Sequence, residues 1–167
     1  MKLLGKGGIF ARFQTFPYFP KGSLIGQLNH SSCVAAVCRM ILSDKGFEVP
    51  EAFLRNALKT DAQGTLLNKI PSVLRDFGVK ENYEFLELES IDELTKFLTQ
   101  HSAILAVKVA DYEELHVVLV DIVFENFVYV RDPLPEGKGQ AYRIRSEDFT
   151  SAWIQKKLGK GLAIVVN

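Results

Sequence analysis

Gln27-Leu-Asn-His-Ser-Ser-Cys33-Val-Ala-Ala-Val-Cys38-Arg-Met-Ile-Leu42 leads a polar loop into a helix that is apolar on almost every side. Ser31 or Ser32 is placed to cap this helix and Gly46 to stop it. A short side-chain oxygen satisfies first-turn N–H groups, and glycine takes the left-handed conformation at a helix end. Cys33 falls in the first turn, where unpaired N–H groups and the positive end of the helix dipole favour a thiolate over a thiol. Gln27, six residues upstream, is placed to aim its amide at an oxyanion forming near that sulfur. The competing reading of Cys33 is a small buried hydrophobe, the usual fate of an unpaired cysteine.

Composition bounds what surrounds this helix. With 167 residues, 47% hydrophobic and 24% charged, the chain can bury one sizeable core. Residues 23–167 read as one domain and 1–22 as an N-terminal arm or linker. Net charge is zero and the basic residues are scattered, so no footprint for nucleic acid is expected. There is no apolar stretch of about 18 residues and no signal-peptide pattern, so no membrane insertion is expected and the chain reads as soluble and cytoplasmic. Cys33 and Cys38 point to different sides of one helix, a poor geometry for a disulfide. No Cys-x-x-Cys or His-Glu-x-x-His pattern occurs, and no Gly-rich loop follows a strand; neither metal nor cofactor is expected. Gly5-Lys-Gly-Gly8 reads as a flexible joint. The aromatic run Phe10, Phe13, Phe16, Tyr18 and Phe19 suits an arm lying across the domain, or else a partner-binding surface. The abrupt opening reads as a fragment of a longer protein.

Farther along, Pro50 is expected at the first position of a second helix running to about Lys59, and Pro71 opens a third that Gly78 closes. Tyr83 to Leu88 is a short strand candidate. Ser90-Ile-Asp-Glu93 forms a capping box, which predicts a helix over about 91–100. Then the character changes: Ser102–Val109, Leu115–Val123, Phe127–Arg131, Gln140–Arg145 and Leu162–Val166 are β-branched or aromatic runs bounded by turn residues, interrupted by a short helix over 147–154. Helices first and an antiparallel sheet second make an α+β fold in which the Cys33 helix rests on the sheet.

A nucleophilic cysteine needs a base, and the base needs a group to hold its tautomer. His101 lies in a polar Thr-Gln-His-Ser segment and reads as solvated; His30 shares the loop before Cys33. His116 sits in Leu115-His-Val-Val-Leu-Val-Asp-Ile-Val123, which has the look of a central strand. A tight turn near Glu125-Asn126 brings Asp132 back beside residues 116–119, where it can orient the imidazole. Asp121, at odd spacing from His116, belongs to the opposite face. Asp132 also precedes Pro133, so an ordinary Asp-Pro turn is its alternative.

With these residues in this order, the chain resembles the papain-like cysteine peptidases, and among them the double-glycine peptidases that process bacteriocin leader peptides. The resemblance covers about residues 25–166. Gln27 looks like the family's oxyanion-hole glutamine, Cys33 like its nucleophile, and His116 with Asp132-Pro133 like its His and Asp-Pro pair. Gly64-Thr65, Phe77-Gly78-Val79 and Phe149 to Trp153 are softer matches. The chain departs from the family pattern on both sides of Cys33, with Ser32 and Val34 where Asp and Gly are usual.

The resemblance implies a papain-like fold with N-terminal helices on a C-terminal antiparallel sheet. It also implies a cysteine endopeptidase acting on a protein or peptide, with a cut after a double glycine. A detached domain of this kind also resembles the toxin tips of bacterial contact-dependent and Rhs-type systems. Such a toxin would be delivered into a target-cell cytoplasm as part of a larger secreted protein, and its producer would need an immunity protein. Two rival functions are a glutamine deamidase using the same residues and a non-catalytic module that binds leader peptides. Gly7-Gly8 is itself a double glycine at which the domain would release itself.

Overall fold

The computed structural model describes residues 13–108 and 114–167; the Gly5–Gly8 joint and the Gly7-Gly8 junction lie outside the described residues. In chain order the elements are β1 (Thr15–Pro17), α1 (Cys33–Asp44), α2 (Glu51–Leu58), α3 (Ile70–Asp76), β2 (Tyr83–Leu88), α4 (Ile91–Thr95), β3 (Ala103–Lys108), β4 (Leu115–Phe124), β5 (Phe127–Asp132), β6 (Gln140–Arg145), α5 (Ser146–Trp153) and β7 (Gly161–Val166). The seven strands form one antiparallel sheet ordered β1-β6-β5-β4-β3-β7-β2. This is the expected α+β fold.

Alternation along the central strands feeds two cores. Val117 and Leu119 of β4, with Ile104 and Ala106 of β3, face Val34, Val37, Cys38 and Ile41 of α1 and the apolar residues of α2 and α3. Val118 and Val120, with Leu105 and Val107, face Leu94 of α4 and Phe149 and Trp153 of α5. Both faces of β3 and β4 are therefore covered, which is why their runs read as continuously apolar. Arg39 interrupts the apolar surface of α1 and donates from Nε to the Val49 carbonyl at 2.9 Å, tying α1 to the loop before α2.

Several local expectations shift by small, explicable amounts. Pro50 caps α2 from outside, and the helix begins at Glu51. α4 stops at Thr95, short of the expected residue 100, because the chain tightens into i→i+3 bonds from Phe97 N–H to Leu94 and from Leu98 N–H to Thr95. That tightening turns Leu98 into the core. Glu125 and Asn126 both take positive φ, 49° and 66°, as a two-residue hairpin with strand-like twist requires.

The edge strand β1 has no counterpart among the expected strands. Thr15 pairs with Ile144 and Pro17 with Tyr142. Phe16 in β1 and Tyr18 just after it hold the strand there: the Phe16 and Phe127 rings meet edge to face at 5.8 Å, and those of Tyr18 and Tyr129 at 5.2 Å.

Candidate active site

Cys33 is the first residue of α1 and is half-buried. Ser32 occupies the N-cap position, as expected, but its side chain makes no cap bond. Its hydroxyl instead donates to the Asn29 carbonyl at 2.9 Å and accepts from the Asn29 N–H at 3.1 Å. The first-turn N–H groups beside the sulfur thus have no side-chain cap. Cys38, one turn on, is fully buried, and burial together with the nearby Cys33 pushes its thiol up to about 12. Both cysteines are free thiols.

β4 carries His116 to this helix start. Its Nε2 lies 2.7 Å from Oδ1 of Asp132, and the ring interacts with the Cys33 side chain. A carboxylate only accepts, so Nε2 holds the proton facing Asp132 and Nδ1 is left for the thiol. The pairing of Leu119 with Arg131 in the β4–β5 ladder places Asp132 opposite the start of β4, on the same face as His116. Asp132 is completely buried; Oδ1 also accepts the Leu134 N–H at 2.9 Å, and Oδ2 accepts the Tyr142 hydroxyl at 2.7 Å. Burial alone would push the imidazole down. The charge and hydrogen bond of Asp132, helped by Cys33, outweigh burial and raise His116 to about 10.

Asp121 sits at a β-bulge between Val120 and Ile122 and turns away from this group. It pairs with buried Arg131 at 2.7 Å and accepts from the hydroxyls of Tyr18 and Ser102, each at 2.6 Å. Arg131 also pairs with Asp44 at 2.9 Å. A recess of about 960 Å³ opens beside this network, and none of Cys33, His116, Asp132 and Gln27 lines it. The candidate chemistry and this recess are therefore separate. His101 lines that recess, and His30 is exposed in the loop before α1.

Gln27 is buried, at 1% exposure, and clamped through its backbone. Its N–H donates to the Pro133 carbonyl at 2.9 Å, and its carbonyl accepts from the Gly137 N–H at 2.8 Å. The side-chain Nε2 donates to the Asn29 carbonyl at 2.7 Å, which leaves its second hydrogen uncommitted. The same Asn29 carbonyl receives the Ser32 hydroxyl, so Ser32 steadies the turn on which the Gln27 amide rests. Val34, the other departure beside Cys33, is 2% exposed and lies in the core under α1.

Two residues of this neighbourhood escaped the sequence reading. Tyr142 faces inward on β6, and a buried tyrosine hydroxyl needs a partner; its signal was that inward position in the strand following the Asp132 loop. Glu51 occupies the buried stripe of α2 with Leu54 and Leu58, a place where a carboxylate is out of pattern. Among the described residues, no group of three or more His, Cys, Asp or Glu could hold a metal ion, and no helix is long and apolar enough to cross a membrane.

Residues 21–159 match the family model described as the Peptidase C39 family. No curated protein sequence matches the chain. Among solved structures, the peptidase domain of Streptococcus ComA, a bi-functional ABC transporter involved in a quorum sensing pathway, is 25% identical. The match covers 86% of this chain and 96% of that one, with a TM-score of 0.67. A double glycine motif protease from an AMS/PCAT transporter, in complex with the leader peptide, shares 19% identity over 87% of this chain and 90% of its own, with a TM-score of 0.68. A C39-like peptidase from Bacillus anthracis shares 16% over 87% and 94%, with a TM-score of 0.65; these last two share the fold. The family match spans the helix start, the β4–β5 hairpin and the loop between β5 and β6, so this chain belongs to the peptidase C39 family of cysteine peptidases.

Proposed function

We propose that Cys33 is the nucleophile of an endopeptidase that cuts a peptide after a double glycine, with His116 as its acid–base partner. The observation that carries this reading is the buried imidazole bonded to Asp132, with the Cys33 side chain at a helix start interacting with the same ring. Asp132 holds His116 above its ordinary range, which favours the ring as acceptor of the Cys33 proton. Asp132 keeps the ring in the tautomer that serves the sulfur.

The thiolate adds to the scissile carbonyl. The oxyanion forms between the uncommitted hydrogen of Gln27 Nε2 and the Cys33 backbone N–H. As the tetrahedral intermediate collapses, the C–N bond breaks and His116 gives its proton to the leaving amine. Water, deprotonated by the now neutral His116, then releases the acyl group and restores the pair. The Gly-Gly preference is supported by the fold shared with a double glycine motif protease complexed with the leader peptide.

The test is incubation with a leader-type peptide containing Gly-Gly, followed by intact-mass analysis. Two fragments separated after the second glycine are expected. Cys33→Ala should abolish them, and Gln27→Ala should slow them by about 10²–10³. Cleavage that survives Cys33→Ala refutes the assignment. A gain of about one dalton without fragmentation points to amide hydrolysis by the same residues, and binding without either change points to a recognition module. A small coding region next to this one, whose product blocks the activity, would identify the domain as a toxin with its immunity protein.

A further inference from the structure

We infer that Glu51 is a positioning residue for the oxyanion glutamine, acting through the backbone of the loop that carries Gln27; this rests on the role proposed for Gln27. Glu51 opens α2 and is 2% exposed. Its Oε2 accepts the Leu28 N–H at 3.0 Å. Among the described residues, no cation pairs with it and Oε1 has no protein donor. Burying a carboxylate without a counter-charge works against stability. An apolar residue at this place would continue the stripe of Leu54 and Leu58, so the arrangement points to a local duty.

That duty follows from the peptide Glu51 grips. The Gln27 N–H and carbonyl are held by Pro133 and Gly137 on one side, and the next N–H, that of Leu28, is held by Glu51 on the other. Together the three bonds fix both peptide planes flanking Gln27. Its side-chain amide is held only at Asn29, so the direction of its second hydrogen depends on those planes. Leu28 itself is 63% exposed and supplies no packing that could replace the bond. Releasing the Leu28 N–H lets the loop swing, and misplacement by about 1 Å costs up to about 10²-fold in rate.

The experiment compares Glu51→Ala, Glu51→Gln, Gln27→Ala and the Glu51→Ala/Gln27→Ala double variant, using a fluorogenic peptidyl-Gly-Gly amide and iodoacetamide labelling of Cys33. Glu51→Ala is expected to lower kcat by about 10- to 100-fold with KM and labelling rate close to wild type. Glu51→Gln, which keeps an acceptor oxygen, should recover most of the loss. In the Gln27→Ala background Glu51→Ala should cost less than about threefold further, because residues acting as a unit are not additive. Multiplicative losses, or failure of Glu51→Gln to recover, would reduce Glu51 to a structural part and overturn the inference, as would full activity in Glu51→Ala when Gln27→Ala is impaired. If Gln27→Ala loses no activity, or the wild-type protein turns over no peptide, the reading of Gln27 itself fails and this inference falls with it. Loss of Cys33 labelling together with a collapsed far-UV spectrum in both Glu51 variants would assign the residue to folding and equally overturn it.

Discussion

Replacing Gly26 by alanine should damage the site without touching any residue of it. A Cβ at Gly26 would stand 2.2 Å from the Lys138 backbone nitrogen and 2.7 Å from both the Gly137 carbonyl carbon and the Gly139 nitrogen. The first of these is about 1.2 Å short of the 3.4 Å at which ordinary contact begins. Every obstacle is backbone, so no side chain can rotate away. The loop from Pro133 to Gly139 must retreat by about 1 Å, and with it go the bonds from Gln27 N–H to Pro133 and from Gly137 N–H to the Gln27 carbonyl. Overpacking costs about 1–3 kcal/mol and each weakened hydrogen bond about 0.5–1.5 kcal/mol, so the total is about 3 kcal/mol. At roughly 2–4 °C per kcal/mol for a domain of this size, Tm falls by roughly 6–12 °C. Turnover falls by about 10²-fold, the penalty for a misplaced catalytic donor. Calorimetry and cleavage of the Gly-Gly peptide measure the two effects, with iodoacetamide labelling showing that Cys33 and His116 still meet. Lys138→Gly should not rescue the variant, since the clash is with backbone. An alanine variant with wild-type Tm and turnover would show that the contact between Gly26 and this loop does not set the position of Gln27.

Asp132→Asn removes the charge that holds His116 up to about 10, so the alkaline limb of kcat/KM and the NMR titration of the ring should both move down toward the ordinary value of about 6.5. Because the folded-state value is the higher one, the stabilisation it brings is complete below about 6.5 and is lost as pH climbs through about 10. Urea unfolding of the variant should lack that part of the decline, and an unmoved limb would remove Asp132 from its role. Asp121→Ala is the complementary test. It deprives buried Arg131 of one partner while Asp44 remains, so the cost should be about 2–3 kcal/mol, below the 3–5 kcal/mol of a fully broken buried pair. Denaturant titration measures that loss. A shift in the alkaline limb of Asp121→Ala would mean that both carboxylates act on His116.

Much of the site was legible because its defining relations are short-range or periodic. The apolar run after Cys33 and the glycine at 46 bound a helix by local rules, and the structure puts Cys33 at its first residue. Two residues at a tight turn bring β5 back along β4, and strand parity separates Asp121 from His116. It is the bulge between Val120 and Ile122, however, that shifts the register by one and puts Asp132 on the face of His116. Other features were hidden because one side chain can serve several neighbours. Ser32 sits where a cap belongs, yet its hydroxyl goes to Asn29. Glu93 accepts from the Glu89 N–H at 2.7 Å, one residue before the partner a capping box would choose.

Sequence alone determined the five α-helices, six of the seven strands and the order of Gln27, Cys33, His116 and Asp132, because period, capping and turn chemistry act over a few residues. Only the tertiary structure decided that β1 closes the sheet edge, that Tyr142 holds the second oxygen of Asp132, and that the peptides around Gln27 are gripped by Pro133, Gly137 and Glu51. Those contacts join backbone and polar groups far apart along the chain. A hydrogen bond has no period to betray it in a sequence; its partner is chosen when the loops meet and every buried donor must find an acceptor.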